Sequence, residues 1–214
     1  MRRALTILVF MLAFVCIAAG QKTTSMNELL LPSSDDIAAA KNEGFEVFRI
    51  LPRGMFDYTQ NEKSLRGGGA YYSFIRKSHS YDEIPQIELQ KGDLSVAFYG
   101  ANYGFIADLG AVSLTEINGE NKYVDYLTKY QPKKIEREAR EEYKKIGTGF
   151  EANGLKFNQK QTAKIGHTYV LRAISYDEAD TLVAFKVYSQ DADGSLTILW
   201  KMLENFEKPL LAKN

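Results

Sequence analysis

The chain has 214 residues and carries 27 Lys plus Arg against 27 Asp plus Glu, a formal net charge of zero. That balance excludes the basic footprint of a nucleic-acid binder and gives no electrostatic pull toward an acidic membrane. The length suffices for one domain with its own core, and 12 Phe with 13 Tyr favour strands.

Residues 1–20 read as a cleavable signal peptide: Arg2 and Arg3 open it, an apolar run spans residues 5–17, and Ala18-Ala19-Gly20 supplies a small-residue cleavage site. The apolar run is shorter than the roughly 20 residues a spanning helix needs. No stable membrane insertion is therefore expected after cleavage, and the expected location is secreted or periplasmic. Cys16 is the only cysteine and leaves with this segment. The mature chain then has no disulfide, thiolate metal site or Cys nucleophile. Residues 21–32 read as a flexible lead-in and residues 33–214 as a single globular domain.

Ser34-Asp35-Asp36 ahead of Ile37, with Gly44 behind, predicts a short capped helix. Residues 45–51 alternate as a strand and stop at Pro52; residues 57–66 form a polar loop. Gly67-Gly68-Gly69 follows a loop and precedes a strand at residues 70–75, whereas a phosphate cradle needs a strand before it and a helix after it. Residues 76–84 are a second loop, which holds His79.

The stretch at about 86–110 reads as a three-stranded meander. Lys91-Gly92 forms a two-residue turn, so Leu89 faces Leu94 and Glu88 faces Ser95. A second turn at Ala101-Asn102 pairs Phe98 with Phe105, Val96 with Ala107 and Leu94 with Leu109. Side chains alternate across a strand, so these turns place one apolar face together. Residues 111–117 read as an edge strand. A helical segment at about 122–146 follows: Tyr123, Tyr126, Leu127 and Tyr130 recur at helical spacing, and Pro132 opens a second, highly charged helix that stops at Gly147.

A second meander occupies about 167–203, with strands at residues 168–176, 181–189 and 195–203. Its register pairs Val187 with Ile198, Phe185 with Trp200 and Val183 with Met202. An odd-length first loop adds Tyr169, Leu171 and Ala173 to the same apolar face and gathers Arg172, Lys186 and Lys201 on the other. The fold class is thus α+β: two antiparallel three-stranded meanders forming a strand-rich sheet or sandwich, with the helical segment beside them.

The sites that could carry chemistry are few. Glu88, Ser95 and Asp108 fall in one cross-strand row, which sets the carboxylates about 9.5 Å apart, the upper edge of an inverting glycosidase's acid and base separation. His79 lies near Asp82 and near Ser73, Ser78 and Ser80 for a Ser-His-Asp arrangement, without the Gly-x-Ser-x-Gly elbow that would support it. Arg172, Lys186 and Lys201, with Tyr176 and Tyr188, could hold an anionic or sugar ligand. Asp191-Ala192-Asp193-Gly194 resembles part of a calcium loop but lacks its late glutamate, where Trp200 stands. His79 and His167 are too far apart in sequence to suggest a metal site. No metal or cofactor is expected.

The leading expectation is an exported soluble globular protein, non-enzymatic, with a binding or envelope-associated role. Its partner would be a small molecule, glycan or protein, and not a nucleic acid. The alternatives are a secreted hydrolase using Glu88 and Asp108 or His79, and a carrier of an apolar small ligand inside a barrel-like cavity.

Overall fold

The computed structural model describes residues 26–55, 68–79, 84–96 and 101–212. The expected signal peptide, the expected loop at residues 57–66, and Ser80, Asp82 and Phe98 lie outside the described residues.

A central antiparallel sheet of five strands runs in the order β1, β11, β10, β9, β5. These strands are β1 (Glu46–Ile50), β5 (Tyr103–Asp108), β9 (Thr168–Ser175), β10 (Ala179–Gln190) and β11 (Leu196–Phe206). A smaller sheet of four short strands runs β2 (Tyr71–Tyr72), β3 (Ile87–Gln90), β4 (Asp93–Ser95) and β8 (Lys160–Thr162). β6 (Phe150–Ala152) and β7 (Leu155–Phe157) form a separate ribbon. The helices are α1 (Met26–Leu29), α2 (Ser34–Glu43), α3 (Asp125–Lys129) and α4 (Glu136–Thr148). The protein is α+β and rich in antiparallel strands.

The central sheet holds its register through turn chemistry. Asp177 takes φ 61° in the three-residue turn between β9 and β10, and Tyr169 pairs with Phe185, Leu171 with Val183 and Ala173 with Thr181. Across β10 and β11, Val187 meets Ile198, Phe185 meets Trp200 and Val183 meets Met202, as the alternation requires. α2 is capped at both ends. The Ser33 hydroxyl accepts from the Asp36 N–H at 3.1 Å, and Gly44 closes the helix at φ 76°.

Both faces of the central sheet are buried. On one, Phe48, Ile50, Leu171, Val183, Phe185 and Trp200 pack against Tyr72, Phe74, Ile87, Leu89 and Val96 of the smaller sheet and its flanks. On the other, Phe105, Val170, Leu182, Ala184 and Leu199 pack against Leu127 of α3, Ala139 and Ile146 of α4, and Phe157 of β7. The central sheet is the middle layer of three.

The main departure from expectation concerns β5. The Lys91-Gly92 hairpin forms, with positive φ at both residues, and Leu89 faces Leu94 and Glu88 faces Ser95. β5, however, leaves its sequence neighbour and pairs with β9 over six residue pairs, while β4 pairs with β8. The turn residue Asn102 is committed elsewhere: its side-chain oxygen accepts from the Tyr176 N–H at 3.0 Å, tying this corner to the β9–β10 turn. The first meander is therefore a hairpin plus a strand of the other sheet.

Smaller corrections follow the same logic. Residues 114–116 form a 3-10 turn capped by Ser113 rather than an edge strand. Pro132 lies before α4, because residues 134–136 pair with the chain at Ala212, and α4 runs on through Gly147 to Gly149 at φ 79°. The short strands β6, β7 and β8 carry too few residues for a visible period. Among the described residues the five-stranded sheet does not close, since β1 and β5 are its two edges.

Candidate functional site

A cleft of about 530 Å³ opens on the helical side of the central sheet. One wall is the segment between α3 and α4, with Tyr130, Lys133 and Lys134; the other is the chain leaving β11, with Phe206 and Lys208. Three backbone hydrogen bonds hold that outgoing chain in place. Asp177 N–H donates to the Pro209 carbonyl at 2.9 Å, Ala212 N–H to Lys134 at 2.9 Å, and Glu136 N–H to Ala212 at 3.2 Å.

Arg172 on β9 reaches the cleft from the sheet. It is 2% exposed, and its Nε and Nη2 donate to the two oxygens of Asp180 at 2.8 and 2.6 Å. Nη1 donates to the carbonyls of Leu127 and Tyr130, and the guanidinium lies 3.8 Å from the centroid of the Phe206 ring. Burial raises the Asp180 carboxyl above its usual range against the pull of Arg172. The fork is fully oriented by fixed partners.

Beside it stands a tyrosine cluster. The Tyr103 hydroxyl accepts from the Lys133 N–H at 2.9 Å and from Tyr130 at 3.0 Å, while the Tyr176 hydroxyl donates to the Lys133 carbonyl at 2.5 Å. Burial pushes the Tyr130 and Tyr176 hydroxyls far above the ordinary range, so they remain protonated donors. The cationic side chains lining the cleft are Lys133, Lys134, Arg172 and Lys208, against the carboxylates of Asp180 and Glu207. Lys133 approaches Glu142 at 4.0 Å.

The other sequence-derived candidates scatter. Glu88 is 5% exposed in the smaller sheet and pairs with Arg53 at 2.9 Å, whereas Asp108 ends β5 of the central sheet. The proposed acid and base row is not formed, because it required β4 and β5 to be partners. Asp108 instead accepts from the Gly110 N–H at 2.8 Å, from His167 Nδ1 at 2.8 Å and from Lys164 at 2.9 Å. Burial works against its ionisation, but these donors outweigh it and hold the carboxyl below its usual range. Sequence reasoning passed over the Asp108–His167 pair because the two residues are joined only by the β5–β9 pairing.

His79 donates from Nε2 to the Arg49 carbonyl at 2.8 Å and packs its ring edge-on to Tyr72. Burial lowers its pKa, partly offset by that carbonyl. Ser73 is bonded to Gln86, while Ser80 and Asp82, also expected as partners of this histidine, lie outside the described residues. Lys186 on β10 and Lys201 on β11 are half-buried and share the sheet face of Arg172 on β9, as the alternation requires, but neither lines the cleft; Tyr188 is exposed. Lys201 lines a second pocket, and its ammonium stands 5.6 Å from the Phe45 ring centroid.

The calcium-like loop carries its own cation. Arg49 donates to Asp191 at 2.7 Å and to Asp193 at 3.3 Å, so the two carboxylates are answered by a guanidinium. Among the described residues no cluster of three or more His, Cys, Asp or Glu is placed to hold a metal.

The chain matches no family model, no curated protein and no solved structure.

Proposed function

We propose that the protein is an exported, non-enzymatic binding protein that holds a small organic anion in the cleft above Arg172. The observation that carries this reading is the cleft itself: about 530 Å³ of space lined by four cationic side chains against two carboxylates, with the Phe206 ring as an apolar wall. Ligand sites run from about 300 to 1,000 Å³ and combine apolar walls with a few convergent polar groups. The buried Arg172–Asp180 pair makes a rigid floor, and Lys134 and Lys208 supply charge at the rim. The non-enzymatic reading is supported by the separation of Glu88 from Asp108 and by the use of His79 within the core.

Titration calorimetry with citrate and with benzoate tests it. Saturable binding to one of them is expected, weakened by added salt and weakened about tenfold, or ~1.4 kcal/mol, in the Lys134→Ala/Lys208→Ala double variant. No saturable binding of either anion, or equal affinity in the double variant, would overturn the proposal.

A further inference from the structure

The central sheet has an unfinished edge. β1 pairs with β11 only over residues 196–200, the last pair being Glu46 with Trp200, whereas β11 runs on beside β10 to Phe206. Ahead of Glu46 the chain turns away at Gly44, φ 76°, into α2. Among the described residues no strand occupies the lane alongside residues 202–206. Successive residues of an antiparallel strand aim their N–H and C=O groups to alternate sides, so every second residue of β11 here turns its backbone groups toward that lane. Such an edge is a template for another strand.

The lane is open space. A pocket of about 350 Å³ lies in it, bounded by Gly44 and Glu46 at the end of β1, by Lys201, Met202 and Asn205 along β11, and by Phe74 of the covering layer. Its two sides differ in chemistry. Met202, 37% exposed, shares a face with Trp200, which packs on Phe74 with ring centroids 4.9 Å apart. Lys201 turns to the opposite face, half-buried, with its ammonium 5.6 Å from the Phe45 ring centroid. Among the described residues Lys201 has no ion pair. Glu46 is taken by Lys77 at 2.6 Å, and burial lowers the Lys201 pKa with no carboxylate pulling it back.

An apolar row on one side and an unanswered cation on the other form the pattern that a strand of alternating side chains complements. A compact small molecule would leave the β11 backbone unanswered. We propose that the notch beside residues 202–205 is a docking site for an extended peptide segment of a protein partner. The segment adds a strand in the lane that β1 vacates, setting an apolar side chain against Met202 and Phe74 and a carboxylate within reach of Lys201. The notch shares no lining residue with the Arg172 cleft.

The probe is acetyl-Val-Glu-Val-Glu-Val-amide, titrated calorimetrically into the folded chain, with the Val-Lys-Val-Lys-Val counterpart as control. Saturable binding of the glutamate peptide is expected, at least about fivefold tighter than that of the lysine peptide, with the preference reversed in Lys201→Glu. Two N-methylated forms of the glutamate peptide, one methylated at its odd and one at its even positions, separate strand addition from mere occupancy of the pocket. Only one set of amides faces β11, so one form should lose at least about tenfold in affinity while the other keeps it. This pair carries the test in the wild type if the charge-reversal variant does not fold. No saturable binding of the glutamate peptide, equal affinity for the lysine peptide, an unreversed preference in folded Lys201→Glu, or equal effects of the two methylation patterns would overturn the proposal.

Discussion

Replacing Asp180 by alanine should be the most damaging single change on the helical side of the sheet. Arg172 and Asp180 are 2% and 1% exposed at their side chains and share two hydrogen bonds of 2.6 and 2.8 Å. The variant leaves a guanidinium in the interior with the Leu127 and Tyr130 carbonyls and the Phe206 and Tyr130 rings around it, and no carboxylate among these contacts. Carbonyls orient a cation but do not neutralise it. Breaking a buried pair on one side costs about 3 to 5 kcal/mol, a large share of the roughly 5 to 15 kcal/mol that holds a typical domain. Urea unfolding followed by far-ultraviolet circular dichroism should show the midpoint falling with the slope unchanged. Adding Arg172→Met to the variant should restore at least about half of the loss, since a buried methionine leaves no charge to solvate. A loss below about 1 kcal/mol in the single variant would refute the reasoning, because it would mean that Arg172 reaches water through the cleft and never depended on Asp180.

Three further outcomes are expected. Gly104→Ala would place a Cβ 2.4 Å from Val96 Cγ2 and 2.7 Å from the Arg172 carbonyl oxygen, and overpacking of this kind should cost about 1 to 3 kcal/mol in the same unfolding assay; an unchanged midpoint would contradict the close crossing of Val96 over β5. His79 has a folded pKa lowered from 6.5, so its contribution is complete above about pH 6.5 and is lost as pH falls below it. Between pH 7 and 5 the wild type should therefore lose more stability than His79→Gln, and parallel profiles would remove His79 from the core. The Asp108 carboxyl is held below the ordinary carboxylate value of 3.8, so its contribution is present above that pH and disappears as acid titrates it. Asp108→Asn should cost about 1 kcal/mol at pH 7 and flatten the loss of stability between pH 5 and 3; a variant as acid-sensitive as the wild type would count against the His167 and Lys164 ties.

The register of the three C-terminal strands was legible, because strong alternation and well-signalled turns leave only one register that buries Phe185, Trp200 and Leu171 together, although β10 begins at Ala179 and β11 runs on to Phe206, beyond the expected bounds. β5 shows where that reasoning stops. Alternation says which side chains share a face but not which strand lies alongside, and Ala101-Asn102 lacked the glycine that made Lys91-Gly92 decisive. The false Glu88–Asp108 row descended from that one wrong neighbour. Arg172 was singled out correctly as a candidate, yet its partner was missed because Asp180 was read as a loop residue, although the same register sets it diagonally across from Arg172 on one face. The cleft walls at residues 130–134 and 206–210 meet only through tertiary packing, for which neither segment carries a periodic signal.

The order in which the layers occur along the chain has its own consequence. Residues 46–96 supply the covering of one face and residues 101–162 most of the other, while β9, β10 and β11, the slab both must settle on, come last. β1 waits for β11 and β5 waits for β9, pairings of long sequence separation that form slowly. A nascent polypeptide with this layout has nothing to crystallise around until its final third emerges, and so stays threadable for as long as its synthesis lasts.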